Sequence, residues 1–271
     1  MISKAFVRLC ELPAARRFLW KTWYGFLARR FPVEGWNFMN YGYQPLEPDS
    51  PRLELSEADE PERYCIQLYH RVARAAGPIE GKDVLEVGSG RGGGASYVHR
   101  YLGPRKVVAA DFSRPAVDLA NRRLGGDGLT YVEGDAENLP FEPDSFDVVL
   151  NVESSHCYPS RPRFFAEVRR VLRPGGVLSL VDIFLDDELA AMPGQLAGAG
   201  LTVESVDDIS AGVVEGLRLD GPHREAIIAG NAPKALAPAL KSFAGTEGTD
   251  VYNSLASGRL KYVLFKATKP A

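Results

Sequence analysis

The stretch Asp83–Gly94, DVLEVGSGRGGG, runs from an apolar strand through clustered glycines into a helix, and the flanking segments fall into place around it. Val84, Leu85 and Val87 are the β-branched and aliphatic residues expected of a buried parallel strand. Gly88, Gly90 and Gly93 fit G-x-G-x-x-G, in which missing Cβ atoms permit unusual backbone angles and let a ligand approach the main chain. Alone, the pattern is also compatible with a βα turn that holds nothing.

Three further features, each at the end of a predicted strand, point away from a dinucleotide. Glu86 stands two residues before Gly88. A carboxylate there can hold a ligand's ammonium group by charge-assisted hydrogen bonds, but would repel a pyrophosphate. Asp111 ends KVVAAD, 21 positions after Gly90, where a ribose-hydroxyl acceptor belongs. GDAENLPF, Gly134 to Phe141, follows the strand TYVE and offers Asp135 to an adenine amino group and the Ala136 backbone to the ring edge. With LRPGG at Leu172 to Gly176, the chain resembles the class I S-adenosylmethionine-dependent methyltransferases. The resemblance implies S-adenosylmethionine as cofactor, bound by Glu86, Gly88, Gly90, Asp111, Phe112, Asp135, Ala136 and Asn151.

A chain of 271 residues can bury a full core as one large domain with attachments. Its 45% hydrophobic and 25% charged content is ordinary for a globular protein. A net charge of −3 and a pI near 5.9 give no global basic field, so no nucleic-acid partner is expected. Cys10, Cys65 and Cys157 are scattered, which argues against a disulfide framework. No run approaches the ~20 apolar residues of a membrane span. Arg8, Arg16 and Arg17 interrupt the one candidate for a secretory leader, so a cytoplasmic location is expected.

Residues 1–31 carry seven Lys or Arg against the single acid Glu11, interleaved with aromatics. That mixture suits amphipathic helices divided near Pro13, acting as a lid, as a peripheral membrane contact, or simply packing on the main domain. Residues 1–61 thus form a helical N-terminal extension and connector. Within it, Trp36, Tyr41 and Tyr43 are expected to cover the cofactor or the substrate. A helix should run from Glu62 to about Ala76, ended by Gly77-Pro78.

From Lys82 to Ile209 apolar strands alternate with helical segments, the pattern of a doubly wound, Rossmann-like α/β sheet, completed as a seven-stranded sheet by Leu260–Lys266. The core is 62–209 with the final strand in 259–271; residues 210–258 form a helical cap inserted before that strand. Strands are expected near 84–87, 107–111, 130–132, 146–152, 177–183 and 201–209, with helices near 93–102, 114–124, 162–172 and 187–199. Ser113 is the expected N-cap of the 114–124 helix. Ligands on such a sheet bind beyond the carboxyl ends of its strands. In the cap, Arg218 and His223 are weighed between pocket and surface, with surface favoured.

NVESSHCYP, Asn151 to Pro159, follows the fourth strand and should stand opposite the transferred methyl. With GDAENLPF, DEP at Asp59 to Pro61 and LYHR at Leu68 to Arg71, it is similar to the bacterial phthiotriol and phenolphthiotriol dimycocerosate methyltransferases, which O-methylate a hydroxyl on a long-chain polyketide lipid. The likeness runs from about Trp36 to Ile183 and weakens in the glycine loop and the cap. It implies an apolar small-molecule substrate. Because an alkyl hydroxyl must lose its proton during attack, His156 is the candidate general base, with Glu153 orienting it or binding the hydroxyl. Phe184 is expected beside the substrate. No metal is expected: Asp186 and Asp187 read as a helix N-terminus.

Two rival readings remain open. Glu153 with Trp36, Tyr41 and Phe184 also suits a C-methyltransferase acting on an isoprenoid or sterol alkene, where a carboxylate stabilises a cation. The cofactor pocket could equally serve a non-methylating catalyst or a binding module.

Overall fold

The computed structural model describes Thr22, Arg29, Arg30, Val33 and residues 36–271; the N-terminal amphipathic helices expected within residues 1–31 lie otherwise outside the described residues. Seven strands form one sheet: β1 (Asp83–Val87), β2 (Lys106–Asp111), β3 (Leu129–Glu133), β4 (Phe146–Val152), β5 (Leu172–Phe184), β6 (Thr202–Asp208) and β7 (Lys261–Thr268). Their spatial order is β3-β2-β1-β4-β5-β7-β6. The strands from β3 to β5 run parallel, and β7 is antiparallel to both β5 and β6.

Eight helices are described: α1 (Arg63–Ala76), α2 (Gly93–Leu102), α3 (Arg114–Leu124), α4 (Arg161–Val171), α5 (Asp186–Gly198), α6 (Ser210–Asn231), α7 (Ala237–Phe243) and α8 (Asp250–Ala256). Every residue of β1 is buried, because helices cover both faces of the sheet. Val84 joins the core under α1, α2, α3 and α6, with Ile66, Val98, Val117 and Val213. Leu85 and Val87 point the other way, to Phe164 and Phe165 of α4 and Met192 and Leu196 of α5. This period of two also turns Glu86 toward α1.

β5 starts at Leu172, five residues earlier than the strand expected from Val177, because LRPGG continues the pairing, with a register irregularity between Phe146 and Val148 of β4. Ser113 precedes α3, but its side chain makes no capping bond; Asp111 Oδ1 accepts from the Ser113 amide instead, at 2.8 Å.

β1 and β4 are neighbours whose connections leave in opposite directions, to β2 and to β5, so a crevice opens at their carboxyl ends. Two covers close over it. One is the segment 36–44, a strap tied down by Glu62, whose Oε1 accepts from the amides of Asn37 (2.7 Å) and Phe38 (3.2 Å). The other is the cap, α6 to α8, between β6 and β7. Trp36 and Met39 of the strap pack with Ile228 and Leu240 of the cap, so the covers share a small core of their own. No helix among the described residues is long and apolar enough to cross a membrane.

Candidate active site

Gly88 and Gly90 hold φ of +80° and +53°. At Gly88 there is no room for a side chain either, since a Cβ would lie 2.3 Å from Ser154 Oγ. Gly90 differs: its nearest neighbour would be Met39 Sδ at 3.9 Å, so its missing side chain leaves open space on the cavity side. The turn is pinned to β2 by the Gly88 amide on Ala110 O (2.8 Å) and the Gly90 amide on Asp111 Oδ2 (2.8 Å). Burial pushes the Asp111 carboxyl up to about 6, against the two backbone donors that stabilise its charge.

A cavity of about 300 Å³ runs along the carboxyl edge of the sheet. Gly88, Gly90, Asp111, Phe112, Asp135 and Ala136 line its β1 to β3 side. Tyr41, Glu153, His156, Ile183, Phe243 and Val251 line the side formed by β4, β5 and the covers. Glu86 stands behind the glycine turn rather than in the wall. Its Oε1 accepts from Tyr69 OH at 2.6 Å, while its buried Oε2 has no hydrogen-bond partner among the described residues. Burial raises its carboxyl to about 7.

The segment after β4 is clamped at both ends. Ser154 and Tyr158 reach back toward the cofactor turn: Asn151 Nδ2 donates to Val87 O (2.8 Å) and lies within 3.0 Å of both hydroxyls. Asn151 is thus wholly buried beneath the turn and outside the cavity wall. Between them, Ser155 to Cys157 form a 3-10 turn gripped by Asp182 of β5. Asp182 Oδ2 accepts from Ser155 Oγ (2.6 Å) and the His156 amide (2.9 Å), and Oδ1 pairs with His156 Nδ1 at 2.7 Å. Burial opposes charge on the imidazole, but Cys157 and Asp182 outweigh it and raise its pKa well above the usual value. Burial likewise opposes charge on Asp182, and His156 with Ser155 holds that carboxyl below its ordinary range.

Glu153 does not orient His156, as the sequence had allowed. Its Oε1 accepts from the Tyr41 amide (2.6 Å) and from Tyr262 OH, and Asp182 holds the imidazole in its place. Glu153 sits at φ +47°, a conformation a non-glycine residue adopts only under constraint, and burial raises its carboxyl to about 7.

Of the residues expected around the substrate, Tyr41 lines the cavity and three do not. Trp36 lies against the Arg91 guanidinium, 4.4 Å from its ring centroid. Tyr43 packs on the glycine face of α6, where a Cβ on Gly212 would meet its ring at 2.3 Å. Phe184 falls on the opposite face of β5 and stacks edge-on with Phe265, because alternation along the strand gives the cavity to Ile183. Arg218 pairs with Glu215 at the surface, and His223 is also outside the cavity wall.

Sequence reasoning missed Asp182, Tyr69 and Arg224. Asp182 carries a legible signal, an acid inside the apolar run LSLVDIF two residues before its end, near the carboxyl end of its strand as Asp111 is of KVVAAD. Arg224 of α6 is buried, bonds Asp220 at 2.7 Å and donates to Asn40 O (2.9 Å) and Ala244 O (3.1 Å), joining strap and cap. No three His, Cys, Asp or Glu side chains among the described residues converge as metal ligands.

Residues 85–180 match the model of a methyltransferase domain family. A probable phthiotriol/phenolphthiotriol dimycocerosates methyltransferase 2 of Mycobacterium ulcerans is 44% identical over 232 residues, covering 85% of this chain and 88% of that one. That span is longer than the Trp36 to Ile183 stretch in which the likeness was expected. A fatty-acid O-methyltransferase of Mycolicibacterium smegmatis is 39% identical, covering 92% of this chain and 89% of the relative. Among solved structures, the [4+2]-cyclase SpnF matches with a TM-score of 0.70 at 20% identity, covering 93% of this chain and 95% of that one; this is a likeness of fold.

Proposed function

This chain belongs to the S-adenosylmethionine-dependent methyltransferases, and from that premise we propose that it methylates a hydroxyl oxygen on an apolar, lipid-like acceptor. The observation carrying the proposal is the pairing of His156, in the wall of the cavity that the glycine turn also lines, with the buried Asp182. The relatives' names, a lipid methyltransferase and a fatty-acid O-methyltransferase, support an apolar acceptor.

The residues present fit the cofactor. Gly90 leaves open space where a side chain would project, Asp111 presents a carboxylate braced by two amides, and Glu86 Oε2 is a buried acceptor lacking a donor. Phe112, Asp135 and Ala136 offer the adenine side, and Asn151 holds the turn from below. When bound, S-adenosylmethionine supplies a methyl group already activated on a sulfonium.

The protein must then align the acceptor and exclude water. His156 takes the hydroxyl proton at the ring nitrogen not facing Asp182, and Asp182 fixes the ring and stabilises the imidazolium. The strap, through Tyr41, and the cap, through Phe243 and Val251, keep the acceptor end apolar.

A second reading draws on Glu153 and Tyr41, a carboxylate and an aromatic ring in one wall, which suit the cation of carbon methylation. The test is transfer of isotopically labelled methyl into an organic extract, followed by hydroiodic acid cleavage. Volatile labelled methyl iodide is the expected product. Label retained on the carbon skeleton would establish C-methylation, and cofactor binding without transfer would favour a non-methylating role.

A further inference from the structure

Glu153 is a carboxyl of the acceptor wall that hydrogen-bonds neither His156 nor Asp182, and its surroundings explain what it is for. The left-handed backbone at φ +47° turns its side chain up from the end of β4, and the Glu153 amide is tied to Val181 O at 2.9 Å. Both donors aimed at the carboxyl, the Tyr41 amide and Tyr262 OH, converge on Oε1. Among the described residues Oε2 receives no hydrogen bond, and the residue is part of the cavity wall. An acceptor atom kept vacant in a low-dielectric cavity asks for a donor from the ligand.

We infer that Glu153 is a specificity residue: it receives the O–H of a neutral alcohol acceptor and rejects acceptors that carry a carboxylate. This rests on the hydroxyl-methylation reading and deepens it by separating two acceptor classes that related enzymes are named for. A hydroxyl donates to Oε2 as the acceptor docks, then turns its O–H to His156, which takes the proton as the new O–CH3 bond forms and the sulfonium S–CH3 bond breaks. A carboxylate has no proton to donate and brings a like charge against Glu153 at a distance where burial screens little.

The neighbouring charges do not reverse the argument. Above the value of about 7 to which burial raises Glu153, that carboxyl is charged; the trio then carries −1 with His156 protonated, since His156 and Asp182 cancel, and −2 with His156 neutral. Arg224 lies behind the strap and is matched by Asp220 at 2.7 Å. Arg91, the cation in the described wall, donates from Nε to Trp36 O beside the glycine turn. Nothing in this set forms a carboxylate clamp of the kind arginine provides.

The test compares initial rates for a long-chain primary alcohol and the fatty acid of equal chain length, above pH 7 where Glu153 is ionised and with S-adenosylmethionine saturating, in wild type and Glu153→Gln. Wild type is expected to favour the alcohol by roughly tenfold or more, and Glu153→Gln to lower that ratio by roughly tenfold. Tyr262→Phe is the companion variant: it removes one donor from Oε1, makes Glu153 easier to protonate, and moves the ratio the same way even if Glu153→Gln folds poorly. A wild type that methylates the acid as fast as the alcohol, or a ratio unmoved in variants that still bind S-adenosylhomocysteine, would overturn the assignment. Label passing to neither substrate would instead overturn the hydroxyl-methylation reading, and this one with it.

Discussion

His156 Nδ1 lies 2.7 Å from Asp182 Oδ1, and the same carboxylate also receives the His156 amide, so one acid sets both the backbone and the ring of the candidate base. Two bonds from one group leave the imidazole little rotational freedom. The pairing joins residues 26 positions apart, on β5 and the turn after β4.

The pH dependence follows from this pairing. His156 accepts a proton only when neutral, and its pKa is raised, so kcat/KM is expected to climb as pH rises through a value above 6.5. Asp182→Asn removes a negative partner, moving that limb toward acid while lowering the plateau. Linkage has the opposite sense: charged His156 contributes stability present below about pH 6.5 that is lost as pH rises through its raised value. Thermal melts across that range should fall in wild type and flatten in Asp182→Asn; matching slopes would mean the pair is not formed.

The two glycines of the turn should separate folding from ligand binding. Gly88→Ala sets a methyl 2.3 Å from Ser154 Oγ at φ +80°, so it is expected to lower the melting temperature strongly. Gly90→Ala meets nothing closer than 3.9 Å, and at φ +53° should cost about 1–2 kcal/mol. Its methyl enters the cavity, and calorimetry should find S-adenosylhomocysteine bound at least about tenfold more weakly. Unchanged affinity would place the cofactor elsewhere.

Arg224 carries the link between strap and cap. Arg224→Met leaves Asp220 buried without its partner, with side-chain exposures of 11% and 5% in the pair, and should destabilise by about 3–5 kcal/mol in chemical denaturation. Adding Asp220→Leu should recover part of that loss, since the stranded charge is gone. No recovery would mean that the bonds to Asn40 O and Ala244 O, not the ion pair, hold the covers.

The glycine turn, the parallel strands and the acids near the carboxyl ends of β1, β2 and β4 were legible because each is written in a few consecutive residues. Contacts made across the fold were not. Glu153 could be read from the sequence as orienting His156 or as binding the substrate hydroxyl, and the left-handed Glu153 sends its carboxylate to Tyr41 and Tyr262 and leaves the imidazole to Asp182. Phe184 and Ile183 are adjacent apolar residues at one strand end, and only the strand's registration against β7 decides which faces the cavity. Arg224 looked like any charge on a helix, and its burial depends on a strap 184 positions away.

The most direct test of the account is the turnover of His156→Ala on a long-chain alcohol, measured beside its affinity for S-adenosylhomocysteine. Affinity within a few-fold of wild type and a kcat lower by about 10²–10⁴-fold are expected. Near-normal turnover with intact cofactor binding would contradict it, and the proton would have to leave through another group.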